Sequence, residues 1–429
     1  MKQYDSYKQS TSGWFEKVPS HWHETKIKYF CRDVVNGATP STSNENFWDG
    51  DISWIASGKC HDNLVDSETK FITKEGYENS STKLIPANTA IIALTGATCA
   101  QSGYLTIEAC TNQSIVAYIN RKEKINSKFI FYLIQGNRQQ YLIHQTGGAQ
   151  AGINVEDCKN IIALIPPIVE QNGIVDYLDR KCASIDGIMA TQEQRIALLN
   201  ELKQSVITEA VTRGINSDVP LRDSGINWIG QIPKHWEVRP LKFTGYFGNG
   251  LTYSPEDISE DDGVLVLRSS NIKDDKLDFS DTVFVKNVPK SLMVETGDII
   301  ICSRNGSASL VGKCAMVTEP INATFGAFML RFRPDQNAKF AFYMLQAALK
   351  MYKGLYSTTT INQLTNGVIA QIHVAYPPVD EQKLIADYLD KKCACIDSAL
   401  AKAKREIELL REYKQSVITE AVTGKIKVC

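Results

Sequence analysis

The chain has 429 residues, 43% hydrophobic and 22% charged, with 47 Lys and Arg against 48 Asp and Glu. That composition is of a globular protein with room for two to four domains and full cores, which excludes a disordered or fibrous chain. A formal net charge of −1 excludes a uniformly basic surface, so contact with a polyanion needs cations gathered on one face.

No apolar run approaches the roughly 20 residues of a membrane helix; IIALIPPIV is short and broken by prolines. The first residues, MKQYDSYKQSTSG, are polar and unlike a secretory signal. Eleven cysteines without a CxxC pair point to reduced thiols and a cytoplasmic chain with no membrane contact.

In chain order, the first feature is an opening, WFEKVPSHWHETKIKYF from Trp14. A body of alternating apolar runs and turns follows: DISWIASG and TAIIALTG read as strands, SKFIFYLIQGNRQQYLI as a helix. Then comes PPIVEQNGIVDYLDRKCASIDGIMA from Pro166, leading into KQSVITEAVT at 203–212. The whole plan then repeats. WIGQIPKHWEVRPLKF opens at Trp228, the strands GVLVLRSS, GDIIICSRNG and KCAMV follow, and AKFAFYMLQAALKMY is the helix. PPVDEQKLIADYLDKKCACIDSALA from Pro377 leads into the second KQSVITEAVT at 414–423. From 166 to 212, 29 of 47 residues equal their partners at an offset of 211, while the bodies between the echoes diverge almost completely.

The shared tails have helical periodicity. Leu178, Ile185, Leu199 and Val206 fall on one seven-residue series interrupted by Gln192; Leu389, Ile396, Ala403, Leu410 and Val417 fall on the matching one. Ile174, Ile188, Ile196, Leu202 and Ala210 form a flanking row. The Pro-Pro pairs mark the starts, and Gly214 and Gly424 the stops. Each helix of about 45 residues would span roughly 65 Å, too long for one compact domain, so the two are expected to pair as a coiled coil. The fold class is therefore α+β with an internal duplication: globular domains at 1–165 and 215–376, and helical spacers at 166–214 and 377–429.

Catalytic motifs are incomplete. Gly306 to Gly312-Lys313 has one residue too many for a P-loop, and Cys314 replaces the required Ser or Thr. His21 and His23 form an HxH, but the second copy has Glu237 in place of the second histidine, so packing of Trp22 and Trp236 in the core explains the HW pairs better. Cys393 and Cys395, matched by Cys182 and Ser184, read as small buried residues at a helix interface. There is no GxSxG elbow.

The PPxxEQ…DYLD…ID…KQSVITEAVT tails, the PxHW openings, GATPSTSNENFWDGDISWIASG at 37–58, GLTYSP at 250–255, VLRSSNI at 266–272 and GDIIICSRNGS at 297–307 together resemble the specificity subunits of type I restriction–modification systems. The resemblance covers nearly the whole chain. It implies two target-recognition domains, each reading one half of a bipartite site in double-stranded DNA, joined by two antiparallel helices with pseudo-twofold symmetry. The helices act as spacer and as docking surface for two modification (methyltransferase) subunits, and restriction subunits can join. The chain itself would be non-catalytic and hold no cofactor, with S-adenosylmethionine, ATP and Mg on the partners. Identical helices suit identical partners; unlike bodies suit unlike half-sites. A structural adaptor bridging two protein partners without reading bases is the alternative, and the polar tips of the bodies argue against it.

In the second body, Arg268, Ser269 and Asn271, and then Arg304, Asn305 and Ser307, follow apolar strands and are the expected DNA contacts, joined by Thr252 and Tyr253. Arginine suits guanine, asparagine adenine, and serine phosphate. In the first body Lys59, Thr95, Thr98 and Gln150 occupy the corresponding places. Residues 215–378 carry 16 Lys and Arg against 16 Asp and Glu, so EDISEDD at 256–262 faces away from DNA or a partner supplies much of the positive clamp.

Overall fold

Pro166-Pro167 and Pro377-Pro378 each close a strand and open a long helix, since proline gives no amide to a ladder and suits the first helical turn. In the computed structural model, which describes residues 3–145, 152–259, 263–307, 310–356 and 363–428, these helices run Ile168–Arg213 and Val379–Val422. They stop at Gly214 (φ 79°) and Gly424 (φ 71°), the left-handed conformation that glycine adopts without steric cost.

The chain divides into two compact units, Met1–Glu193 with Lys404–Cys429, and Gln194–Ala403. The expected boundaries at 165/166, 214/215 and 376/377 follow the elements but not the packing, because each unit takes part of both long helices. In the first unit Asp186 pairs with Lys414 at 2.7 Å and Glu193 with Arg411 at 3.9 Å, so one helix ascends as the other descends. The second unit holds the same pair with the copies exchanged, Lys203 to Asp397 at 2.9 Å.

The seam residues Leu178, Ile185, Leu389, Ile396, Ala403 and Val417 are buried as the series requires, whereas Leu199, Val206 and Leu410 of the same series are only half-buried. The flanking row behaves differently: Ile174 and Ala210 are buried, but Ile188 is 44% and Leu202 50% exposed. Two paired helices make only a narrow seam, and the bodies cover the flanking positions only where they pack. The cysteine reading needs a similar correction. Cys182 and Cys393 are buried, but Cys395 is exposed. Burial pushes the thiols of Cys31, Cys60 and Cys158 up to about 12, which leaves them unreactive.

The two bodies share one strand scheme despite their divergent sequences. In the first, Cys31–Asn36, Ile115–Asn120, Thr89–Ala93 and Ser102–Leu105 lie side by side, with Asn63–Val65 added at the edge. In the second, Gly245–Asn249, Met329–Pro334, Ile299–Cys302 and Cys314–Met316 take the same order. A second sheet centres on Trp48–Ile55, paired in parallel with Ala109–Thr111, and on its counterpart Val264–Leu267, paired in parallel with Ala323–Phe325. The expected helices form at Ser127–Gly136 and Ala338–Tyr356. The first breaks at Asn137 and restarts at Arg138–Ile143. Gly136 there lies so close to Val422 that a Cβ would come within 2.3 Å of its Cγ2.

The repeated motifs meet at the root of each body. Strand His23–Lys26 pairs antiparallel with Ile162–Ile165, and Glu237–Pro240 with His373–Tyr376, which brings each opening beside the start of a long helix. There Glu170 takes the Trp22 indole N–H at 3.1 Å and contacts His21 Nε2 at 2.8 Å; Glu381 takes Trp236 at 2.9 Å and contacts His235 at 2.6 Å. Trp22 is 0% and Trp236 1% exposed, so the HW pairs are core anchors. The adjacent Gln171 and Gln382 are buried and donate to the carbonyls of Pro166 and Pro377. Glu24 ties down the opening loop: burial alone would raise its pKa, but hydrogen bonds from Ser10, Ser12 and Thr11 outweigh that and hold it at about 2.

Candidate nucleic-acid interface

Apolar strands with polar residues at their ends build this site, because the core fixes each strand and leaves the loop beyond it free to face outward. In the second unit Val264–Leu267 delivers Arg268 and Ser269, Ile299–Cys302 delivers Arg304 and Asn305, and Gly245–Asn249 delivers Thr252 and Tyr253. All six line a single cleft of about 830 Å³. Asn305 Nδ2 donates to Ser269 Oγ at 3.0 Å, joining two of the loops, and its Oδ1 accepts from the Ser307 amide at 2.9 Å.

Gly250 permits the third loop. A Cβ there would lie 2.0 Å from the Gly326 carbonyl oxygen, and Gly37 in the first body stands as close, 1.9 Å, to that of Thr111. Gly250→Ala should therefore displace the Thr252–Tyr253 loop and lower the thermal midpoint of the unit. A high-resolution structure and a calorimetric scan check both; an unshifted loop with an unchanged midpoint contradicts the close approach.

Asn271 is a correction. It is 0% exposed, accepts from the Arg268 amide at 2.9 Å and donates to the carbonyls of Asp278 and Asp281 at 3.0 and 2.7 Å. Its side-chain oxygen and both of its N–H donors serve the turn, and its burial keeps the amide from a base. Arg268 reaches Asp281 at 2.8 Å, and the guanidinium, with the Ser270 hydroxyl, holds that carboxyl below its usual range. Its Nε is buried without a hydrogen-bond partner among the described residues.

Phe328 lines the same cleft and was not singled out from sequence. It is 59% exposed, and the Arg304 guanidinium lies 5.4 Å from its ring centroid. In ATFGAFML nothing separates it from a core aromatic, since only the turn at Gly326 rotates it outward. Lys313, the lysine of the incomplete P-loop, donates instead to the Ile272 carbonyl at 3.3 Å.

In the first unit the loops meet by the same links. Thr98 Oγ1 donates to the Ser57 carbonyl at 3.2 Å, where the second unit has Asn305 and Ser269. Thr95 bridges Gly152, where the second unit has Arg304 and Gln363. Lys59 ends the turn Ser57–Lys59 and donates to Ser67 Oγ at 3.2 Å. Gln150 lies outside the described residues. The same frame thus carries Arg and Asn in one unit and two threonines in the other.

No group of three or more His, Cys, Asp or Glu among the described residues could hold a metal ion, and no helix among them is long and apolar enough to cross a membrane.

Comparison with known proteins places this architecture. The model of the type I restriction modification DNA specificity domain matches twice, at residues 19–198 and 233–409. The type I restriction enzyme EcoKI specificity subunit of Escherichia coli K12 is 32% identical over 46% of this chain and 44% of its own length. The chain thus spans less than half of that relative. The MjaVIII specificity subunit of Methanocaldococcus jannaschii is 23% identical over 96% of this chain and 94% of its own. Among solved structures, a chain from work on complex assembly and conformational transition of the type I R-M system superposes with a TM-score of 0.73 at 15% identity, covering 96% of this chain and 100% of that one. Two matched domains, the duplicated helices and a shared fold over nearly the full length lead to one conclusion: the chain belongs to the type I restriction–modification DNA specificity family.

Proposed function

We propose that the chain reads a bipartite site in double-stranded DNA, one body per half-site, and docks two modification subunits on its long helices, to which restriction subunits can add. It catalyses nothing itself; the methyltransferase chemistry, with S-adenosylmethionine, and the ATP- and Mg-dependent steps belong to the partners, in the cytoplasm. One observation carries this reading: a common loop frame holds different side chains in the two units, Arg304 and Asn305 against Thr95 and Thr98, while the helices below carry one sequence. A scaffold duplicated for protein contact alone has no need of unlike tips.

Incubated alone with its DNA, Mg and S-adenosylmethionine, the chain should neither methylate nor cleave, and should bind weakly because its second body carries as many acids as bases. Adding the modification subunit should give specific binding and methylation of one bipartite sequence. Turnover by the chain alone would overturn the reading.

A further inference from the structure

Where a body meets the long helices, both units use the same polar groups. Lys128 and Tyr132 reach Asp179, each at 2.6 Å; their counterparts Lys339 and Tyr343, 211 residues on, reach Asp390 at 2.5 and 2.9 Å. The residue that faces these groups from the sheet differs. Tyr104 lies across from Ala90, and Ala90 from Tyr118; Met316 lies across from Ile299, and Ile299 from Phe332. Tyr104 and Met316 therefore hold one place in the shared strand scheme, as do Ser102 and Cys314.

In the first unit Tyr104 fills that place. Its ring meets Phe131 edge-on with centroids 6.0 Å apart, and the Lys128 ammonium lies 5.9 Å from its centroid. Gln135 is buried nearby and donates to Ser102 Oγ at 3.1 Å. In the second unit a cavity of about 530 Å³ opens beside Met316, Phe342, Tyr343 and Gln346, a volume ordinary for ligand sites. Gln346 matches Gln135, but its Oε1 is buried with no hydrogen-bond partner among the described residues. An acceptor in that state is costly to the fold and lacks only a donor.

The rest of the lining is apolar below and acidic at the rim. Five carboxylates line the cavity against three lysines, and two of those lysines, Lys203 and Lys339, are already held by Asp397 and Asp390. The hairpin of Ile272–Lys273 with Lys276–Leu277 closes one side, and Asp274 and Asp275 form its two-residue tip at φ 46° and 62°. Asn-Gly is the relaxed choice for such a turn, so two aspartates there hold negative charge at the mouth at a cost in backbone strain.

We propose that this cavity binds a small cationic aromatic molecule, whose ring takes the place that Tyr104 fills in the first unit and whose N–H groups meet Gln346 and the carboxylates. The terminal torsion of Gln346 is soft, so its amide can turn the orphan oxygen toward the ring. The site shares no lining residue with the recognition cleft. An occupant touches the hairpin, the helix Ala338–Tyr356 and both long helices, and so braces the second body on its support.

The test titrates the full chain with tryptamine, an indole bearing an ammonium, and with indole-3-propionate, the same ring bearing a carboxylate. Tryptamine should bind with a dissociation constant of roughly 0.1–1 mM, ordinary for a probe of about twelve non-hydrogen atoms, and the acid about tenfold or more weakly. At about ten times its dissociation constant, tryptamine should raise the melting transition of this unit by about 3–6 °C. Methyl NMR of the methionines locates it: the Met316 signal should shift, and that of Met329, in the recognition cleft, should not. Met316→Tyr fills the cavity as the first unit does and should weaken binding about tenfold or more while the chain stays folded. No binding of tryptamine at about 10 mM, equal binding of the two probes, an unmoved Met316 methyl, or undiminished binding by Met316→Tyr overturns the site.

Discussion

Arg304→Ala weakens sequence-specific binding of the assembled complex by about 1–3 kcal/mol, roughly 5- to 150-fold, and relaxes discrimination in one half-site only. Arg304 is exposed at the cleft, and among the described residues its guanidinium is oriented by Phe328 rather than held by a carboxylate, so contact with a base costs little rearrangement. Arg268→Ala should cost less. Its guanidinium already pairs with Asp281, and a base contact must first release that carboxylate. The order of the two losses therefore separates direct reading from mere charge, because a purely electrostatic role would weaken all DNA sequences alike. Asn271→Ala is the contrast: a buried side chain that ties the Arg268 amide to the carbonyls of Asp278 and Asp281 is lost, so the unit loses about 1–3 kcal/mol of stability before any binding is measured. Binding titrations on variant half-sites, with methylation mapping, read the first two, and thermal melts the third. Equal losses at both half-sites, or unaltered discrimination by Arg304→Ala, would count against this assignment.

The duplication, the long helices and their stops were legible because they rest on local rules: repeat identity, seven-residue spacing, and glycine beyond a last turn. The common fold of the bodies was not. Cys31–Asn36 and Gly245–Asn249 hold the same place in their sheets with almost no residues in common, since a strand needs only apolar alternation and a neighbour. What survives in sequence is backbone necessity, the Asn-Gly pairs at 36–37 and 249–250, whose glycines let a carbonyl approach to about the limit of contact. Site residues fared according to what their side chains must satisfy. Arg268, Ser269, Arg304 and Asn305 were found at strand ends and share one cleft, whereas Asn271 sat in the same motif and turned inward to complete a turn. Sequence marks where a strand ends; it does not mark which polar residue of the turn pays the debt of the backbone.

The partition into units was hidden for a related reason. Reading along the chain sets residues 377–429 apart as a spacer, but Gly424 ends the second helix against Pro19 and Trp22, and Tyr7 donates to the Gly424 carbonyl at 3.2 Å. Gly214 ends the first helix against Trp236 in the same manner. Each helix thus ends against one copy of the opening motif and, through a glutamate in its own first turn, holds the HW pair of the other copy.

That double use of the opening makes the buried tryptophans the most sensitive points of the fold. Trp236→Ala removes a side chain 1% exposed, packed with Leu241, Phe332 and Val374 in one core, and strips Glu381 of its indole donor. A loss of about 3–5 kcal/mol is expected for a cavity of that kind, and Trp22→Ala should match it in the other unit, where Glu170 loses the same bond. At about 2–4 °C per kcal/mol for a unit of some 200 residues, the corresponding melting transition falls by roughly 6–20 °C. His235→Ala is the control. Its ring is half exposed, and an exposed ion pair or hydrogen bond is worth about 1 kcal/mol or less, so its transition should move by only a few degrees. Calorimetry of the three variants measures all of this directly. If His235→Ala proves as damaging as Trp236→Ala, the anchor lies in the charge contact with Glu381 and not in the buried ring.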